Sequence, residues 1–300
     1  MLDLLEGVRA LAEGEGESMA RTLLCLGHGY VAQALSRLLA LQGWRVIGTR
    51  RAAAEDAVAE ILPFDGAPSD HIAALIQMAD AVLVSIPPNE GGDGSVRVFA
   101  DAFGARKGWT GYLSTTGVYG DRAGGWVFED NVRTPTSDPP RRRVIAEEQY
   151  FALPTPAQIF RLPGIYGPGR SVFDRLRAGD ARRVVKPGLV LSRSHVEDIA
   201  AVLAASIARP NPGRAYNVCD DEPAPPQDVV THAALLLGVE PPLEVAFADA
   251  ALPPAAARFY MDSKRVSNAR AKAELGWRPQ FATYREGLRA ILAAESGPSV

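Results

Sequence analysis

The chain has 300 residues, with 47 % hydrophobic and 22 % charged side chains and a formal net charge of −3 at neutral pH. This length allows one large α/β unit with a smaller lobe, and this charge gives no electrostatic footprint for nucleic acid. No apolar run approaches the ~20 residues of a membrane span, and the four histidines lack metal-ligand spacing. We therefore expect no nucleic-acid partner, no membrane partner and no bound metal.

Residues 1–19 differ in composition from the rest of the chain. Apolar residues at helical spacing from Leu2 to Leu11 precede a Glu/Gly run that ends at Ser18, and the basic start of a signal peptide is missing. We interpret this segment as an N-terminal extension. It is explained either by an upstream start site or by a helix that packs on the domain or on a partner.

Both cysteines, Cys25 and Cys219, lie in apolar runs typical of strands. Buried thiols are therefore a better interpretation than a disulfide, and a cytoplasmic location, which is reducing, fits them.

The segment from Thr22 to Thr49 predicts a βαβ unit with a glycine turn. The apolar run Thr22–Leu26 predicts a buried strand, and apolar residues at helical spacing over 31–39 predict a helix that Gly43 ends. A second strand is predicted over 44–49.

The turn between the first strand and the helix has the pattern of a dinucleotide site. Gly27 permits a tight turn, Gly29 lets the backbone approach a pyrophosphate, and Ala32 stands where a third glycine is usual. The helix N-terminus offers N–H groups to phosphates. The alternative is a tight turn without a ligand. The residues predicted here to bind the cofactor are Gly27, His28, Gly29, Tyr30 and Val31.

The end of the second strand indicates which dinucleotide is bound. An NAD-binding chain usually carries an acidic residue there for the ribose hydroxyls, whereas this chain has Thr49, Arg50 and Arg51. Guanidinium groups bind phosphate oxygens in pairs of hydrogen bonds, so these residues favour the 2′-phosphate of NADP. We predict NADP, with NAD as the other option. A solvated arginine pair on a surface loop is the alternative.

Further strands are predicted over 60–64, 81–84 and 109–114, alternating with helix-like stretches. This alternation predicts an α/β fold with a doubly wound parallel sheet, in which ligands bind beyond the carboxyl ends of the strands. The residues at those ends that we add to the predicted cofactor cleft are Asp65, Ile86, Pro87, Pro88 and Ser114.

Several motifs from the fifth strand onward match a known family. They are Ser114–Gly120, Arg161–Arg170, Ser194–Ala200, Tyr216–Val218, and Lys264–Asn268 followed by Leu275–Pro279. Through them the chain resembles, over about residues 20 to 295, the extended short-chain dehydrogenase/reductases, the NAD(P)-dependent epimerase/dehydratase group.

The resemblance implies a Rossmann-type sheet with a small C-terminal substrate lobe. It places the cofactor domain at 20–170, completed by about 186–220, and the substrate lobe at 171–185 and 221–300. It implies a small-molecule substrate, and family members commonly form homodimers. It also places Pro163 and Ile165 next to the nicotinamide, makes Thr115 the catalytic Ser/Thr, and puts Tyr119 near the cleft.

Two departures from the family pattern affect the predicted chemistry. The glycine pattern is that of the atypical branch, and the catalytic Tyr-x-x-x-Lys pair is missing. Alignment of the family's helix glutamate on Glu147 puts Pro139 at the Tyr position and Arg143 at the Lys position, and a shift by one residue gives Pro140 and Val144 instead. Arg143 can take over the ribose contact of the Lys, but it cannot shuttle a proton because arginine stays protonated. A basic helix start on the surface is the alternative.

Other groups are candidates for the roles of the missing tyrosine and lysine. Glu129 and Asp130 are candidate proton carriers, although a solvated loop explains them as well. The arginine that meets the diphosphate in nucleotide-sugar enzymes is Leu191 here, with Arg193 nearby, and His195 is predicted to be a helix cap or packing residue.

The sequence thus predicts an NADP-dependent oxidoreductase or epimerase/dehydratase-like enzyme, acting on a carbonyl or sugar-like substrate with a non-standard proton donor. Its predicted catalytic residues are Thr115, Tyr119 and Arg143. Two alternatives stay open: a non-catalytic NADP(H)-binding sensor or regulator, and an isomerase or dehydratase that keeps its cofactor and performs no net redox reaction.

Overall fold

The computed structural model describes residues 20–52 and 54–296. The predicted N-terminal helix lies outside the described residues. The strands are β1 (Thr22–Leu26), β2 (Arg45–Arg50), β3 (Glu60–Pro63), β4 (Ala81–Val84), β5 (Trp109–Thr115), β6 (Trp126–Val127), β7 (Gln158–Leu162), β8 (Gly164–Tyr166), β9 (Arg183–Val185), β10 (Arg193–His195), β11 (Ala215–Asn217), β12 (Glu244–Ala246) and β13 (Arg265–Val266).

The helices follow the same chain order. They are α1 (Tyr30–Ala40), α2 (Asp70–Met78), α3 (Gly94–Val98), α4 (Ala100–Ala105), α5 (Asp138–Phe151), α6 (Val172–Arg177), α7 (Val196–Ala208), α8 (Pro226–Leu236), α9 (Pro254–Ala257), α10 (Ala269–Leu275) and α11 (Tyr284–Ser296). None of these helices is long and apolar enough to cross a lipid bilayer, a statement that covers only the described residues.

Seven parallel strands form the central sheet in the order β11-β7-β5-β4-β1-β2-β3. The predicted doubly wound parallel sheet is confirmed. The chain order reverses between β1 and β4, which is where such sheets bind ligands. The glycine turn after β1 and the loop after β4 therefore face each other at the carboxyl edge of the sheet.

The sheet is buried on both faces, which explains the continuous apolar runs of its strands. Side chains of Leu23 and Cys25 pack with α1 and α7 on one face. Those of Leu24 and Leu26 pack on the other face with α2, α4 and α5. This alternation along β1 follows from the two-residue period of a strand.

The second strand begins and ends one residue later than predicted. Trp44 is not part of it, because its N–H closes the end of α1 by donating to the Leu39 carbonyl at 3.2 Å. At the other end, the Arg50 carbonyl accepts the Phe64 N–H at 2.7 Å. The strand thus carries the backbone of Arg50 to the edge of the sheet.

A separate apolar cluster lies outside the sheet. It is formed by Phe173, Ala224, Ala233, Tyr284, Leu288 and Ile291, all within the residues predicted to form the substrate lobe. The short parallel pair of β13 with β6 connects this part of the chain to the segment after β5, and β12 pairs with β9 within it. The limits of the two domains stay a prediction.

Candidate cofactor and substrate site

The turn after β1 requires glycine at its first position. Gly27 has a φ of +89°, and a Cβ atom there would lie 2.9 Å from Ser85 Oγ and 3.1 Å from the Ile86 nitrogen. Ser85 also donates a hydrogen bond to the Gly27 carbonyl. The turn is therefore packed directly against the loop after β4, and a side chain at position 27 would push the two apart.

Gly29 has the opposite surroundings. It precedes the first turn of α1 with a φ of −95°, no side chain caps the helix there, and a Cβ atom would meet nothing within 4 Å. An uncapped N-terminus beside open space is the arrangement that accepts phosphate oxygens. The turn thus fits a dinucleotide pyrophosphate.

These two environments predict different effects of alanine. Gly29→Ala is expected to leave the free energy of unfolding unchanged but to weaken nucleotide binding about tenfold, or ~1.4 kcal/mol, because the methyl group enters the space a phosphate needs. Gly27→Ala is expected to lower stability as well. Thermal unfolding and fluorescence titration with NADPH measure the two effects, and equal NADPH affinity for wild type and Gly29→Ala would contradict a phosphate at this position.

Two predicted cofactor contacts support the turn from inside the protein instead. The Thr49 hydroxyl accepts the Gly27 N–H at 2.9 Å and is buried. His28 is also buried, with Nε2 2.9 Å from Ser36 Oγ, and burial lowers its pKa. Neither side chain is free to contact a cofactor, so for both the prediction of a direct contact is corrected to a supporting role.

The first helical turn contributes its backbone to the site rather than its side chains. The Tyr30 hydroxyl donates to the Pro168 carbonyl at 2.9 Å, and Val31 is buried in the core. The predicted contact of Val31 is therefore limited to its N–H group, and a contact of Tyr30 with the cofactor stays a prediction.

The two arginines at the end of β2 have different surroundings. Arg50 donates to the His28 carbonyl at 3.1 Å and lies 3.4 Å from Asp56 Oδ2, so it is fixed across the mouth of the turn. Arg51 is exposed and forms no ion pair within residues 20–52 and 54–296. Sequence reasoning missed Asp56, although an acidic residue six positions after Arg50 was a signal for this pair.

The remaining predicted cofactor residues lie at the same edge of the sheet. Ile86 contacts the glycine turn, and Pro87 and Pro88 follow it in the loop after β4. Asp65 is exposed after β3, where its carboxylate accepts the Ala67 N–H at 2.9 Å. A direct contact of any of these residues with the cofactor stays a prediction.

A cavity of about 470 Å³ lies beyond the end of β5. Thr115 lines it, and so do Pro139 and Pro140 from the first turn of α5 and Pro163 after β7. Pro139 and Pro140 are the two residues that the alternative alignments put at the position of the family tyrosine, so in either case a proline lines the cavity in place of a phenol. Ile165 lies in a neighbouring cavity. The cavity lining is Thr115, Thr116, Gly117, Ser137, Pro139, Pro140, Pro163, Gly164, Leu191, Ser192, Arg193, Arg258, Phe259, Asp262, Lys264 and Val266.

Tyr119 is not placed to take part in catalysis. It is fully buried, its hydroxyl donates to Asn217 Oδ1 at 2.7 Å and accepts from Arg161 at 2.9 Å, and burial raises its pKa to about 12. The predicted catalytic role of Tyr119 is therefore corrected: its hydroxyl belongs to an internal polar network.

Glu147 is the centre of that network. It is fully buried and accepts from Arg161 at 2.8 and 3.1 Å and from Arg133 at 3.0 Å. Ser114 donates to it at 2.5 Å, so this hydroxyl is also used inside the fold and the predicted cofactor contact of Ser114 is corrected. The cluster ties β5, α5 and β7 together beneath the cavity.

Arg143 lies under the sheet edge rather than in the cavity. Its guanidinium donates to the Leu113 carbonyl at 2.6 Å and to the Tyr112 hydroxyl at 2.9 Å. The residue is absent from the lining of the cavity beside Thr115, so a catalytic role is not supported. Its predicted ribose contact stays a prediction.

The acidic groups considered as proton carriers lie elsewhere. Glu129 is buried and accepts the Asn217 N–H at 2.9 Å, and Asp130 is exposed and pairs with Arg270. Neither lines the cavity. His195 accepts the Glu197 N–H at the start of α7, which confirms the predicted cap. Burial lowers the pKa of His195 to about 4.

The cavity carries charged groups that sequence reasoning did not assign. Arg193, Arg258 and Lys264 line it together with a single acidic residue, Asp262. The excess of positive charge favours a substrate with an anionic or strongly polar group. Within the described ranges, no group of three or more His, Cys, Asp or Glu side chains is arranged to hold a metal ion.

Known proteins are similar to this chain over most of its length. Protein YeeZ of Escherichia coli is 31 % identical over 237 residues, which cover 72 % of this chain and 84 % of that protein. A functionally unknown conserved protein from Silicibacter pomeroyi is 49 % identical with a TM-score of 0.86, over 92 % of this chain and 99 % of its own. The structure of a putative NAD-dependent epimerase/dehydratase from Methylobacillus flagellatus is 26 % identical with a TM-score of 0.73, over 93 % and 100 %.

The chain belongs to the NAD-dependent epimerase/dehydratase family. No family model matches it. More distant structures share its fold: a human epimerase family protein with NADPH (17 % identity, TM-score 0.74, 90 % of this chain and 98 % of that one) and UDP-glucuronic acid 4-epimerase from Bacillus cereus with NAD (16 %, 0.72, 90 % and 96 %).

Proposed function

We propose that the protein is an NADP(H)-dependent oxidoreductase of the epimerase/dehydratase type that acts on a carbonyl or sugar-like compound with a proton donor other than tyrosine. The observation that carries the proposal is the cavity lined by Thr115 and Pro163, at the same sheet edge as a glycine turn that fits a pyrophosphate. Relatives of the same fold that contain NAD or NADPH support a nicotinamide cofactor.

The proposed preference for NADP rests on Arg51. This exposed guanidinium follows β2, where the acidic residue of an NAD site is usual. Asp56 supports the opposite preference, because its carboxylate partly neutralises Arg50 at 3.4 Å. We favour NADP because Asp56 pairs with Arg50 alone, which leaves the exposed Arg51 guanidinium for a phosphate.

Each part of the site then has a defined task. The backbone of the glycine turn and the start of α1 would hold the pyrophosphate, and the cofactor would supply or accept a hydride. The Thr115 oxygen already accepts the Gly117 N–H at 3.1 Å, so its own proton is free to be donated to a substrate oxygen. This hydrogen bond orients the substrate, but an alcohol is too weak an acid to supply the proton of the reaction.

Thr115→Val is expected to lower kcat/KM about 10- to 100-fold while NADPH affinity stays the same. The reason is that a hydrogen bond to an oxygen that gains charge contributes ~1.5–3 kcal/mol. The measurement is NADPH oxidation with the best substrate from a carbonyl and sugar screen. Thr155→Val is the matched control, since Thr155 lines a separate cavity near the opposite ends of β5 and β7. Unchanged turnover in Thr115→Val would contradict the role of this hydroxyl.

A non-catalytic NADP(H)-binding protein is the second candidate. It is favoured by the lining of the cavity, in which no tyrosine, histidine or cysteine occurs. Selective NADPH binding without hydride exchange in the screen would favour this candidate over the oxidoreductase.

For either candidate function we propose a cytoplasmic location, which suits the buried free thiols of Cys25 and Cys219.

A further inference from the structure

The cavity beside Thr115 holds one amine. Lys264 lies just before β13, is 7 % exposed and lines the cavity wall, with Nζ 3.5 Å from Asp262 Oδ2. Within the described residues, that carboxylate oxygen is the one side-chain acceptor in hydrogen-bond contact with the ammonium. An ammonium has three N–H donors, so two remain for other partners.

No other group in the lining can exchange a proton as readily near neutral pH. Arg193 and Arg258 carry guanidinium groups, which as a class release a proton far less readily than an amine. Asp262 is already bound on both oxygens, by the Thr136 hydroxyl at 2.8 Å and by Lys264. The other lining residues are apolar or carry only hydroxyl or backbone groups.

Opposing effects act on the pKa of Lys264. Burial lowers the pKa of Lys264, and Arg122 adds to this, whereas Asp262 and Asp121 raise it. Arg193 and Arg258, which line the same cavity, are further positive groups on that wall. The net direction is downward, toward the pH range in which an amine both gives and takes protons.

We propose that Lys264 is the proton donor and acceptor of this site, in place of the missing tyrosine. The proposal rests on the oxidoreductase function given above. In the reducing direction, the substrate carbonyl oxygen becomes negatively charged as its carbon gains a hydride. One N–H bond of the Lys264 ammonium then breaks and an O–H bond forms, which leaves an alcohol and a neutral amine. The amine takes a proton from solvent, and the oxidising direction reverses these steps.

A direct test is the titration of Lys264 in the intact protein. Lysine labelled with ¹³C at Cε gives separate signals for Lys107, Lys186, Lys264 and Lys272. The Lys264 signal is the one missing from Lys264→Arg. We expect its midpoint to lie below that of the same lysine in the urea-unfolded protein, which serves as the reference. Equal midpoints would overturn the proposal, whatever the enzyme's activity.

Turnover provides the second test. Lys264→Met is expected to lose about 10²–10⁴-fold in kcat with NADPH affinity and melting temperature retained. Lys264→Arg keeps the charge but cannot release a proton, so it is expected to lose as much, and Lys107→Met is the control.

In wild type, the rate of carbonyl reduction should fall as pH rises through the Lys264 midpoint. Near-normal activity of Lys264→Arg would overturn proton transfer. Failure of wild type to bind NADPH, or to reduce any carbonyl, would instead contradict the oxidoreductase function, and this proposal with it.

Discussion

Exchange of Glu147 for alanine is expected to lower the free energy of unfolding by about 3–5 kcal/mol, the cost of leaving a buried charge without its partner. Arg161 is 3 % exposed and makes two hydrogen bonds to this carboxylate. Without Glu147, the Arg161 guanidinium still donates to the Tyr119 hydroxyl and to the Glu129 backbone carbonyl, but both of these acceptors are uncharged. Urea denaturation at pH 7, followed by circular dichroism, measures the loss.

The neighbouring residue provides a matched control. Glu148 also pairs with Arg133, but 61 % of its side chain is exposed. Glu148→Ala is therefore expected to cost less than about 1 kcal/mol, as surface ion pairs usually do. Equal losses in the two variants would contradict the view that burial, rather than the ion pair itself, makes Glu147 essential to the fold.

Much of the fold could be predicted because its signals are local. The apolar run of β1, the glycine turn and the helix that ends at Gly43 lie within one stretch of chain, and their periods of two and 3.6 residues define the elements. The reversal point between β1 and β4 then follows from the parallel sheet alone. The ends of the elements are harder to predict from local signals. Trp44 is an aromatic residue of the kind that strands favour, but its N–H closes the end of α1.

The candidate site was predicted less completely because many of its contacts join distant residues. The Tyr119 hydroxyl meets Asn217, 98 positions away, so a motif residue that looked chemically active is part of the interior. Thr49 and Ser114 were assigned to the cofactor because of where they stand on their strands. A hydroxyl at a strand end can turn either outward or inward, and the chain's hydrogen-bonding needs decide which. Conversely, the sequence analysis did not predict that Lys264 lines the cavity. This residue comes from the C-terminal part of the chain, and no sequence pattern near Thr115 indicates its presence there.

Replacement of Arg51 by alanine is expected to weaken NADPH binding about 10- to 100-fold and to leave NADH binding nearly unchanged. The 2′-phosphate would lose charge-assisted hydrogen bonds worth ~1.5–3 kcal/mol, which NADH never forms. Arg50→Ala should reduce the NADPH/NADH affinity ratio too, and it should also loosen the turn, since Arg50 holds the His28 carbonyl. Energy transfer from tryptophan to the bound nicotinamide gives both affinities.

Two further variants decide how this preference arises. Arg45→Ala is the control, because Arg45 starts β2 at the opposite edge of the sheet and pairs with Glu60. Asp56→Asn keeps an oxygen for the Val58 and Ala59 N–H groups but removes the charge that faces Arg50. If the arginines bind a 2′-phosphate, this variant should bind NADPH several-fold more tightly, because Arg50 no longer has a competing anion. Weaker NADH binding with unchanged NADPH binding would show instead that Asp56 holds the ribose hydroxyls, and the preference would then be for NAD.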